Sequence, residues 1–113
     1  MAMTKKENQE ISEFEKKEPK YRTIPRYTAW SEDEKIIVRV ALPGVKREDI
    51  EMKALKDLFM LRATRDEILY SLDLELNVDI VPENTKTEYE EGLLRIELER
   101  YNPLQDAYNV PIQ

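Results

Sequence analysis

The chain contains no cysteine and no histidine among its 113 residues. Without cysteine there can be no disulfide framework, thiolate zinc site or thiol nucleophile. Without histidine the commonest general base and the commonest transition-metal ligand are both missing. Ser12, Ser31 and Ser71 therefore have no imidazole to activate them, and no motif supports a Ser-Lys pair in its place. Glycine is almost as scarce: Gly44 and Gly92 are the only two, too far apart to form a phosphate-cradling loop. No apolar run approaches the roughly 18 residues of a membrane span, and the polar opening, residues 1–8, has nothing resembling a signal peptide. These absences predict a soluble, cytoplasmic, non-enzymatic protein with no catalytic residue, no cofactor and no metal.

What the chain does have is charge. It carries 18 Lys and Arg against 24 Asp and Glu, a net −6 that repels phosphate backbones and argues against nucleic acid as a partner. The balance is uneven: residues 1–26 are net +2 and the remainder is net −8. The carboxylate clusters Glu32-Asp33-Glu34 and Glu88, Glu90, Glu91 lack the ligand spacing and turn glycine of a calcium loop, and are read as solvated surface.

A chain of this length forms one domain able to bury roughly 60% of its unfolded surface. Residues 1–26 are mainly polar, with Ile11 and Phe14 three apart in their middle, and end in Pro19 and Pro25, so they are read as a charged, flexible arm. Thr4 and Glu7 could cap a short helix there, and Ile11 with Phe14 could form a small docking stripe. From Tyr27 the pattern changes to strands. Residues 27–30 form a short aromatic strand in which Trp30 is read as a core side chain. Over 35–42, Ile36, Val38, Val40 and Leu42 alternate against Ile37, Arg39 and Ala41. Pro43-Gly44 forces a turn, at most one helical turn follows, and Ile50, Met52 and Ala54 begin another strand. Residues 58–63 are densely apolar. Residues 68–78 alternate without a break through Ile68, Tyr70, Leu72, Leu74, Leu76 and Val78, which no amphipathic helix reproduces. A short strand through Thr87 and Tyr89 then joins Leu94, Ile96 and Leu98 as a hairpin across Gly92. About seven short strands at this spacing predict an all-β, immunoglobulin-like antiparallel sandwich over 27–100, followed by an extension over 101–113.

The segment Ala41-Leu42-Pro43-Gly44-Val45-Lys46-Arg47-Glu48-Asp49-Ile50-Glu51 resembles the leucine-proline-glycine segment of the alpha-crystallin domain of small heat-shock proteins. Tyr89-Glu90-Glu91-Gly92-Leu93-Leu94-Arg95-Ile96-Glu97-Leu98 resembles that family's closing hairpin, with Gly92 and Leu94 in the motif positions. Glu75-Leu76-Asn77-Val78-Asp79 resembles the strand before it, with asparagine where proline is usual. The tail segment Val110-Pro111-Ile112 is similar to the family's C-terminal anchor. Pro111 keeps its backbone extended, so that Val110 and Ile112 project to the same side. The resemblance implies a receiving groove between the strand bearing Met52 and Ala54 and the strand bearing Thr87 and Tyr89.

Two departures qualify this resemblance. In plant and archaeal members a long loop carries an extra strand into a partner, whereas here only residues 64–67 stand between the corresponding strands; the chain should therefore either dimerise differently or remain a monomer of low order. The family's arm is also longer and more apolar than this one. The resemblance thus implies an ATP-independent chaperone that binds partly unfolded client proteins and associates with itself. The alternative is a co-chaperone-like adaptor that binds one specific folded partner.

Overall fold

The computed structural model describes residues 19–113. The capping box at Thr4 and Glu7 and the stripe formed by Ile11 and Phe14 lie outside the described residues. Eight strands follow in order: β1 (Tyr21–Thr23), β2 (Tyr27–Glu32), β3 (Lys35–Ala41), β4 (Ile50–Leu55), β5 (Leu58–Arg65), β6 (Ile68–Glu75), β7 (Lys86–Glu90) and β8 (Leu93–Glu99). They form two four-stranded sheets, β1-β6-β5-β4 and β2-β3-β8-β7, stacked as a sandwich. Among the described residues the only helical pieces are short 3-10 turns at Arg47–Asp49, Pro82–Asn84 and Pro103–Asp106. The expected all-β sandwich is therefore present.

Period-two alternation explains the core. In β3, Val38 and Val40 face inward, followed by Leu42; in β8, Leu94, Ile96 and Leu98 do so; in β5, Phe59, Leu61 and Ala63 do so, and all are buried. Each large aliphatic or aromatic side chain buried this way contributes about 2 kcal/mol before the entropy of ordering is charged against it. Tight turns preserve these registers. Glu90 and Leu93 pair across the two-residue turn Glu91-Gly92, where both residues have positive φ, 48° and 79°. That is the mirror-image turn whose twist suits a hairpin. Arg65 and Ile68 pair across Asp66-Glu67, so the connection between β5 and β6 is only two residues long, shorter than the stretch read from sequence.

Four details differ from the sequence reading. Trp30 is not core: it lies on the outer face of the edge strand β2, 38% exposed, with its indole Nε1 donating to Glu32 Oε2 at 3.1 Å. The apolar alternation of 68–78 outlasts its strand, which ends at Glu75. Beyond it the chain crosses to the other sheet, with the Leu76 and Ile80 N–H groups donating to the Asp57 and Lys56 carbonyls at 2.8 and 2.6 Å. Leu69, on the opposite face from that alternation, is fully buried beside β1, where Arg22 is its register partner. The stretch read as an arm also contains β1, which pairs in parallel with Ile68, Leu69 and Tyr70 of β6.

Candidate functional site

The two glycine motifs, 48 residues apart in sequence, meet at one end of the sandwich. The Leu42 N–H donates to the Gly92 carbonyl at 2.7 Å. A Cβ placed on Gly92 would lie 3.0 Å from the Pro43 Cα, so backbone packs on backbone and leaves no room for a side chain. Gly44, at φ 77°, has beside it only the flexible end of the Arg65 side chain, whose Nη1 donates to the Pro43 carbonyl at 2.6 Å. The Tyr89 hydroxyl closes the junction, lying 2.8 Å from the Leu42 carbonyl and 2.6 Å from the Val45 carbonyl. With one proton to give, it is shared between two acceptors. Burial pushes the Tyr89 phenol above its ordinary pKa, and the positive charge of Arg47 partly offsets this.

Arg47 has a second role here. Its Nη2 donates to the Tyr89 carbonyl at 3.0 Å, tying the turn that leads into β4 to strand β7. β4 and β7 are the terminal strands of their respective sheets. The bond links the two terminal strands at one end, on the same side of the sandwich. Their inward side chains line the gap between them. Met52 and Ala54 of β4 and Tyr89 of β7 are half-buried against the core, and Thr87, directly opposite Ile96, is exposed. The outward side chains of β4, Glu51, Lys53 and Leu55, are exposed. The result is an apolar-floored slot between the terminal strands of the two sheets, suited to an extended peptide carrying apolar side chains at alternate positions.

Among the described residues, the tail is held at its start. Asn102 caps the Pro103–Asp106 turn by accepting from the Leu104 N–H at 3.0 Å, and the Tyr101 hydroxyl donates to Asp106 Oδ2 at 2.5 Å. That bond, with the carboxylate's charge, raises the Tyr101 pKa. Beyond this turn Val110 and Ile112 are 81% and 101% exposed, so the structure does not bring the tail to the slot of its own chain. Sequence reasoning named Met52, Ala54, Thr87 and Tyr89 but missed Arg47 and Arg65, because a charged side chain bonded to a distant backbone carbonyl leaves no periodic trace. Among the described residues there is no cluster of three or more metal-ligating acidic side chains, and no helix is long and apolar enough to cross a membrane.

No family model and no curated protein matches the sequence. Solved structures do match the fold. Heat shock protein 16.0 from Schizosaccharomyces pombe is similar with a TM-score of 0.65 at 17% identity, over 80% of this chain and 99% of that one. The hspA protein from Xanthomonas axonopodis gives 0.61 at 16% identity, over 69% and 94%. A small heat-shock protein from Xylella fastidiosa, described as having a distinct high order structure, gives 0.62 at 16% identity, over 80% and 94%.

Proposed function

Because its sandwich is that of the alpha-crystallin domain, we propose that this chain is an ATP-independent chaperone of the small heat-shock type, holding partly unfolded polypeptides at exposed strand edges. The observation that carries this reading is the open slot between β4 and β7, with its half-buried apolar floor at Met52, Ala54 and Tyr89. Nothing in such a role requires a catalytic group or a cofactor, and the cytoplasm, where clients are made, is the compartment it suits.

The same slot receives Val110 and Ile112 from a neighbouring copy. These side chains are exposed in their own chain, two residues apart and separated by Pro111, and so match the alternate-residue spacing of a peptide lying along a strand edge. Burying them contributes about 3 to 5 kcal/mol before ordering costs, which makes a weak and exchangeable contact. A client segment competes for that contact by displacing the tail. The experiment is solution mass by light scattering. Ile112→Ala is expected to reduce the assembly to smaller species, and an unchanged mass would reject the tail as an anchor.

A further inference from the structure

We propose that the free edge of β2 is a self-association surface, and that two copies join there antiparallel to continue the β2-β3-β8-β7 sheet across a two-fold axis. β2 is the terminal strand of its sheet, and all six of its residues are exposed. Natural edge strands are usually guarded by internal charge, proline or brevity. β4 carries Glu51 and Lys53, β7 carries Lys86, Glu88 and Glu90, and β1 has only three residues. Between Tyr27 and Ser31, β2 has no charge and no proline.

Hydrogen-bond parity gives the register. The Ala41 N–H donates to the Arg26 carbonyl at 2.9 Å, continuing the ladder in which Tyr27 faces Val40. In an antiparallel ladder, alternate residues direct both backbone groups to one side. The even-numbered residues of β2 therefore bond to β3, while Tyr27, Ala29 and Ser31 present their N–H and C=O groups to the open edge. A two-fold axis at Ala29 pairs Ala29 with its own copy and Tyr27 with Ser31 of the other copy, so that every outward group is used. On the outer face this register sets Arg26 against Glu32 of the other copy, and Thr28 against Trp30. Charges and bulk are then complementary twice over. Sliding by two residues toward the turn sets Tyr27 opposite Asp33, whose φ of 56° takes it out of the strand, and leaves those groups unpaired. The occupant favoured by this geometry is a second copy of the chain, because the charges at the two ends of β2 are opposite and self-complementary.

The proposal does not depend on the tail anchor, and the test separates the two. The chain has no cysteine, so Ala29→Cys introduces a single thiol. In the proposed dimer the two copies of residue 29 lie about 5.5 Å apart, within disulfide range. Mild oxidation should link Ala29→Cys into a covalent dimer, in the full chain and also in an Ile112→Ala background. Tyr27→Cys should not link, because its two copies are about 13 Å apart in that register. Arg26→Glu and Glu32→Arg should each weaken the dimer by about tenfold or more when studied alone. Mixing the two variants should restore it as a heterodimer, a rescue that a folding defect cannot produce. Equal linking at 27 and 29, or an unchanged mass for both charge variants, would overturn the proposal and leave the edge to client strands.

Discussion

Tyr89 is where the chain's two glycine motifs become one structural unit. Its hydroxyl bonds to the Leu42 and Val45 carbonyls, its own carbonyl accepts from Arg47, and its ring floors the slot beside β4. Tyr89→Phe keeps the ring but removes the donor, and should lower unfolding free energy by about 1 kcal/mol in chemical denaturation. The pH dependence has a definite sign. A phenol raised in the folded state contributes stability that is complete below its unfolded pKa and is lost as the pH rises through the folded value, so Tyr89→Phe should flatten part of the alkaline loss. Gly92 supplies a second check at this scale. Gly92→Ala combines a φ of 79° with a 3.0 Å approach to Pro43 backbone and should cost about 2 kcal/mol or more. Gly44→Ala, facing only the movable end of Arg65, should cost less. Equal costs at the two positions would show that backbone packing at Gly92 is not what joins the motifs.

At the scale of elements, the interior strands and the edge strands β2, β4 and β7 were legible in the sequence, and the edge strand β1 was not. β3 and β8 lie between other strands, so one face of each must be core, and their alternation states which; Val38, Val40, Leu94 and Ile96 stand where it placed them. Trp30 was misplaced because apolar character alone does not distinguish a core position from the outer face of an edge strand. β1 left no trace at all, since three residues paired in parallel carry no readable period. Leu69 is buried on the face that the alternation assigned to solvent, with Arg22 of β1 as its register partner. The slot residues on β4 and β7 were named from motif resemblance, whereas Arg47, which holds the two edges together, emerged only in three dimensions. The prediction at this scale concerns the tail: Ile112→Ala should shift the light-scattering mass downward while leaving the β-rich circular dichroism spectrum unchanged.

For the whole molecule, charge and edge exposure act together. A net charge of −6 opposes ordered stacking of copies at their terminal strands. Glu97 illustrates how the acidic surface is held. Desolvation works to raise its pKa, but the Arg95 hydrogen bond and the charges of Lys35, Arg95 and Lys86 outweigh it, and the carboxyl is lowered overall. Such a group contributes stability above its unfolded pKa and loses it as the pH falls through the lower folded value, so Glu97→Gln should be less acid-sensitive below the ordinary carboxylate range in denaturant titrations. The most direct test of the chaperone reading is turbidity of a heat-denatured model client mixed with the full chain at a near-stoichiometric ratio. A chaperone working through open strand edges should suppress aggregation, and should do so more strongly when Ile112→Ala frees the slot of its competing tail. Client aggregation that proceeds undiminished with both proteins would contradict it and would favour an adaptor for one folded partner.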